Sequence, residues 1–117
     1  MKNVTAKFRL WIDTKNGINV IGDGKWRLLS AIKKNGSLAS ACKSLDISYR
    51  KAWGDLLNVQ EASGVLVIEK RRGGKKGGLT VLTEDGEKLV RAYESLHKDI
   101  EKAVNTSFAR RFRTITK

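Results

Sequence analysis

Apolar and polar residues alternate from Ala6 to Asp13. Ala6, Phe8, Leu10 and Ile12 fall on one side and Lys7, Arg9, Trp11 and Asp13 on the other. A period of two is that of a strand with one face covered. Asn16-Gly17 suits the positive φ of a tight turn, and Ile18 and Val20 resume the alternation, so residues 6–22 are predicted to form a β-hairpin. The period then changes to that of a helix. Trp26, Leu29 and Ile32 share one side of a segment expected to start with Asp23 as N-cap and to stop at Asn35-Gly36. Lys33 and Lys34 there suit the negative end of the helix dipole. Ser37 can cap a second helix at once, in which Leu38, Ala41, Cys42 and Leu45 recur at i, i+3, i+4 and i+7. After a break at Asp46-Ile47, Ser48 caps a third helix with Tyr49, Ala52, Trp53 and Leu56 along one face. Gln60 interrupts that apolar line, and Gly64 ends the helix.

Val65-Leu66-Val67-Ile68 reads as a strand and Leu79-Thr80-Val81-Leu82 as its partner, with a loop from Glu69 to Gly78 between them. Thr83 caps a last helix whose first turn holds Glu84, Asp85 and Glu87 at the positive end of the dipole. Its Leu89, Tyr93, Leu96, Ile100 and Ala103 are spaced 4, 3, 4 and 3, a heptad seam. The residues from Arg110 to Lys117 are expected to fray. The fold class predicted is α+β, mainly α: one domain over residues 1–117, with an N-terminal β-hairpin, a winged helix-turn-helix and a long C-terminal helix. The helix-turn-helix occupies residues 37–63, the wing 65–82 and a dimerisation helix 83–108.

Charge narrows the function. Lys and Arg number 24 against 12 Asp and Glu, a net +12 that favours a polyanionic partner. The single cysteine, Cys42, excludes an intramolecular disulfide and suits a reducing cytoplasm. On the core stripe of helix two it is expected to behave as a small apolar residue. No apolar stretch is long enough for a signal peptide or a membrane span. The single His97 has no acid or nucleophile partner apparent in the sequence, so it is expected to pack rather than catalyse, and no enzyme activity, metal or cofactor is expected.

The chemistry lies on helix three and the loop after it. Arg50, Lys51, Gly54, Asp55 and Asn58 point away from the apolar stripe. Two cations and the Ser48 hydroxyl therefore stand at the helix N-terminus, the end that enters the major groove in a helix-turn-helix protein. Arg or Lys can donate there to guanine O6 and N7, and Asn58 could reach adenine. Between Lys70 and Leu82 stand five cations, Lys70, Arg71, Arg72, Lys75 and Lys76, and no acid, with four glycines that let the backbone approach a sugar-phosphate surface. The loop does not satisfy G-x-x-x-x-G-K-[ST], because Leu79-Thr80 follows Gly78 and a strand follows rather than a helix.

Gly36-Ser37-Leu38-Ala39-Ser40-Ala41, Ile47-Ser48-Tyr49-Arg50-Lys51-Ala52-Trp53, Arg72-Gly73-Gly74-Lys75-Lys76-Gly77-Gly78 and Leu82-Thr83 with Gly86 follow one another in a telling order. Together, from about Trp26 to Tyr93, they resemble the N-terminal DNA-binding domain of the molybdate-responsive ModE family of bacterial regulators. The resemblance implies a dimeric winged-helix repressor or activator with helix three in the major groove. It also implies that Ser48, Tyr49, Arg50 and Lys51 face DNA, with Lys75 and Lys76 in the wing; Ser37, Asn58, Arg71 and Arg72 complete the residues expected to bind DNA. Tyr49 and Trp53 also have a competing reading as core aromatics, the preferred one for Trp53. Family members carry C-terminal molybdate-binding modules, and these 117 residues end soon after the last helix. No oxyanion-sensing module is therefore expected, and a separate sensor subunit stays open.

The expected function is sequence-specific binding of double-stranded DNA as a homodimeric cytoplasmic, nucleoid-associated regulator. The dimer contact would use Leu89, Tyr93, Leu96, Ile100 and Ala103, although the same helix could fold back on its own core. The alternative is a non-specific, nucleoid-type protein in which the cations serve backbone contacts only. A basic aromatic tail, Phe108 and Phe112 with Arg110, Arg111 and Arg113, also allows membrane-surface contact in principle, but it is short.

Overall fold

The computed structural model describes residues 3–72 and 78–115. The chain is α+β and mainly helical. Its elements run β1 (Ile12–Asp13), β2 (Asn19–Ile21), α1 (Asp23–Asn35), α2 (Leu38–Leu45), α3 (Tyr49–Ser63), β3 (Ile68–Arg72), β4 (Gly78–Leu82) and α4 (Glu84–Phe112). The strands form two antiparallel pairs, β1 with β2 and β3 with β4.

The helix boundaries follow the local chemistry. Gly36 and Gly64 close α1 and α3 at φ 88 and 74, where a side chain would be strained. The side chains of Ser37, Ser48 and Thr83 accept from the backbone N–H of Ser40, Lys51 and Gly86, capping α2, α3 and α4. Helix α1 departs from expectation: Gly22 is its N-cap, and Asp23 lies inside the first turn, where its carboxylate accepts from Arg27 at 2.9 Å. Asp46 ends α2 in the left-handed region, φ 54. The Asp46 N–H returns to Lys43 O at 3.3 Å and the Ile47 N–H to Cys42 O at 3.1 Å. That reversal leaves only residues 46–48 between α2 and α3.

Side chains from almost every element meet in one core. It is built from Val20 and Ile21; Leu28, Leu29 and Ile32; Leu38, Ala41 and Cys42; Ala52, Leu56 and Val59; Val67, Ile68 and Leu82; and Val90 and Tyr93. The last buried residue of α4 is Tyr93. The helix continues to Phe112, so Arg110 and Arg111 are helical rather than frayed, and the part beyond Tyr93 extends about 28 Å.

The N-terminal hairpin is much shorter than predicted, with β1 holding only Ile12 and Asp13. Residues 6–11 keep their alternation in burial, Ala6, Phe8 and Leu10 half-buried and Lys7, Arg9 and Trp11 exposed, yet they pair with no strand. Their partner is α4. The Tyr93 hydroxyl donates to Leu10 O at 2.7 Å, and the Phe8 ring lies 4.7 Å from that of His97. The period of two signalled an arm with one covered face, and a helix supplies the cover.

The second hairpin is shifted along the chain. Residues 65–67 are not strand, whereas Glu69–Arg72, expected as loop, pair with Gly78–Val81. The cause is competition for backbone groups. Gln60 Oε1 accepts from Val67 N at 3.0 Å and Ile68 N at 3.2 Å. Thr83 Oγ1 donates to Leu66 O at 2.7 Å, and Thr83 N donates to Val67 O at 3.0 Å. This stretch is tied to the end of α3 and the start of α4, so pairing begins only at Ile68.

Candidate nucleic-acid interface

Helix α3 separates its residues cleanly. Ala52, Leu56 and Val59 are buried, and Trp53 packs half-buried against the core. Tyr49, Arg50, Lys51 and Asn58 are exposed. Tyr49 is 46% exposed and stacks nearly parallel on Trp53, ring centres 6.2 Å apart. The stack couples an exposed aromatic at the helix N-terminus to one held by the core. Arg50 stands free of any acid in the same turn. Lys51 donates to Asp55 Oδ2 at 3.2 Å, so its charge is partly committed one turn along the helix.

Ser37 and Ser48 share a capping role but differ in access. Ser48 is exposed, with its Oγ accepting from Lys51 N at 3.0 Å. Ser37 is buried: its Oγ accepts from Ser40 N at 3.1 Å and donates to Ser40 Oγ at 3.0 Å. The exposed hydroxyl at the start of α2 is therefore that of Ser40, which helical periodicity alone did not single out.

Beside α3 stands the β3–β4 ribbon. Ile68, Lys70 and Arg72 share one of its faces and Glu69 and Arg71 the other. Lys70 and Glu69 both line a groove with Trp53, Leu57 and Gln60 of α3, and Ile68 and Thr80, on the Lys70 face, are buried. Arg71 donates to Glu69 Oε1 at 3.1 Å. Lys70, counted among the loop cations but not among the residues expected to bind DNA, is placed with Arg72 by strand alternation. Lys75 and Lys76 lie outside the described residues.

The seam residues of α4 divide. Tyr93 is buried in the core and Leu89 packs against it, whereas Leu96 is 40% exposed and Ala103 is exposed. Ile100 is half-buried and lines an open groove with Ala6, Ala103, Val104, Phe108 and Phe112. Past Tyr93 the half-buried positions run through His97, Ile100, Val104, Phe108 and Phe112, drifting off the heptad as a straight helix does. Phe108 and Phe112 stack at 4.6 Å.

Cys42 and His97 are both packed against neighbouring side chains. Cys42 is buried, and desolvation pushes its thiol up from its ordinary 9.0, against the thiolate that redox chemistry requires. His97 lies between the rings of Phe8 and Tyr93. Burial, with a smaller contribution from the Asp23 charge, pushes the Tyr93 hydroxyl above its ordinary 10.0. Among the described residues, no helix is long and apolar enough to cross a membrane.

Similarity to known proteins runs across most of the chain. No family model matches it. The molybdenum transport protein ModE of Azotobacter vinelandii is 31% identical over 97 residues, 83% of this chain and 36% of the relative. The transcriptional regulator ModE of Haemophilus influenzae is 38% identical over 77 residues, 66% of this chain and 30% of the relative. The chain is homologous to ModE. The DNA-binding transcriptional dual regulator ModE of Escherichia coli is 36% identical over 76 residues, 65% of this chain and 29% of the relative. The chain thus spans about a third of the length of the curated ModE proteins it matches.

Proposed function

We propose that this chain is a single winged helix-turn-helix domain that binds double-stranded DNA as a homodimeric transcription regulator. In this reading α2 and α3 are the helix-turn-helix, α3 lies in the major groove, and the β3–β4 ribbon is the wing. The observation that carries it is the outer surface of α3. Tyr49, Arg50 and Lys51 are exposed on its first turn, and Lys70 of the ribbon lines a groove with Trp53, Leu57 and Gln60 of the same helix. The names of the H. influenzae and E. coli relatives support a regulatory role, and the second includes DNA binding.

A charged helix face alone is common, and these cations need not meet nucleic acid. Three features weigh against that bland reading. Lys70 of the ribbon lines a groove with α3, the net charge is +12, and the cations at the start of α3 stand where backbone N–H groups can also hold a phosphate. The projecting part of α4 supports a dimer. Its apolar groove of about 470 Å³ suits a second copy of the same helix, which would set two copies of α3 about one DNA turn apart.

Selection from a randomised duplex library at near-physiological salt tests this reading, with the wild type beside Arg50→Ala and Arg72→Ala. The expected result is a palindromic motif that relaxes at defined bases in Arg50→Ala. Arg72→Ala should keep the motif and bind uniformly more weakly, with a shallower salt dependence. Equal affinity for every sequence would replace this reading with a non-specific, nucleoid-type protein.

A further inference from the structure

An acid on a surface that faces DNA needs a reason. Asp55 lies on α3 one turn past Lys51 and three residues before the exposed Asn58, and phosphate repels its carboxylate. Helix stability is a weak reason for its presence. An exposed i,i+4 ion pair contributes little, and a cation placed N-terminal to an anion is the poorer of the two orders against the helix dipole.

Donor and acceptor geometry offers a better one. Lys51 Nζ and Asp55 Oδ2 stand 3.2 Å apart, with the lysine side chain 65% exposed and the aspartate 31%. They present a hydrogen-bond donor and an acceptor side by side. In the major groove a G·C pair presents the complement, the acceptors O6 and N7 of guanine next to the N4 amino donor of cytosine. O6 and N4 are hydrogen-bonded to one another, so they stand about 2.9 Å apart, close to the spacing of the protein pair. An A·T pair fits less well. Its amino group lies between two acceptors, adenine N7 and thymine O4, so a carboxylate that accepts from N6 also meets the N7 lone pair.

Resting on the major-groove reading of α3, we propose that Lys51 and Asp55 act as one unit that reads a single G·C base pair. Lys51 donates to guanine O6 and N7, and Asp55 accepts from cytosine N4. Asp55 is then a specificity residue: it lowers affinity for wrong sequences by placing an unpaired acceptor and a negative charge against them. Lys51 also holds the carboxylate in register before DNA arrives.

Library selection followed by affinity measurements on single duplexes tests this, using the full chain as wild type, Asp55→Asn and Lys51→Ala. The expected wild-type motif contains a G·C pair whose exchange for A·T weakens binding about tenfold. Asp55→Asn should lose discrimination at that one pair, keep the rest of the motif, and bind non-cognate duplexes more tightly than the wild type. Lys51→Ala should relax the same pair. An Asp55→Asn motif identical to that of the wild type, with affinity changed equally on all duplexes, overturns the proposal while leaving the major-groove reading intact. A wild type without any motif overturns both. Far-ultraviolet circular dichroism separates these outcomes from unfolding, and Asn at an exposed helical position retains the shape of Asp.

Discussion

Gln60 shows how one polar side chain can fix the relation between two elements. Its carboxamide oxygen takes the N–H groups of Val67 and Ile68, two donors that no strand partner reaches. Leucine at this position would fit the apolar line of α3 but leave both donors unpaired at a part-buried site, at a cost of about 2 kcal/mol. Gln60→Leu should therefore show a lower urea midpoint with an unchanged slope, and an unchanged midpoint would remove Gln60 from this role. Gly86 works by absence, since a Cβ there would run into the Val67 carbonyl oxygen where α4 crosses the start of the ribbon. The caps of Ser37, Ser48 and Thr83 were legible from sequence because each acts within three residues of itself. Gln60 was visible only as an anomaly. Its partners lie beyond the turn at Gly64, and a local pattern does not say which way the chain turns back.

Among the elements, the same limit explains which boundaries the pattern located. Helices α2 and α3 and the start of α4 stand where apolar spacing and caps put them, because both signals are local, whereas α1 starts one residue early and α4 runs on to Phe112. The strands moved: the alternation of residues 6–12 reported a covered face without naming what covers it, and of the run at 65–68 only Val67 and Ile68 are buried and only Ile68 pairs. Of the candidate site, the outer face of α3 was readable from periodicity, whereas the Lys51–Asp55 contact and the burial of Ser37 needed coordinates. The arm over α4 can be tested by itself. Tyr93→Phe removes the hydrogen bond to Leu10 O but keeps the ring, so it should cost about 1 kcal/mol. Amide exchange should quicken in residues 6–12 and hold steady in α2 and α3; faster exchange throughout would mean that the arm and the core unfold as one unit.

Seen whole, the molecule is elongated, with a longest extent of 62 Å and a radius of gyration of 17.8 Å. A compact chain of this length has a radius of about 13 Å. The excess comes from the outer part of α4, which carries apolar side chains that its own body does not fully cover. If two copies join there, sedimentation equilibrium should give twice the chain mass of 13.1 kDa, and Phe108→Asp should return a folded monomer. A wild type that sediments at the single-chain mass would leave the groove without its proposed occupant and the two-fold operator without a basis.

The contact between Leu10 and Tyr93 also sets an order of events during synthesis. It spans 83 residues, and a ribosome makes Leu10 long before Tyr93 exists. The arm therefore waits without its α4 contacts until that helix has been translated. A segment made early is thus one of the last to settle, and a nascent chain stalled before α4 would still carry it exposed to chaperones and proteases.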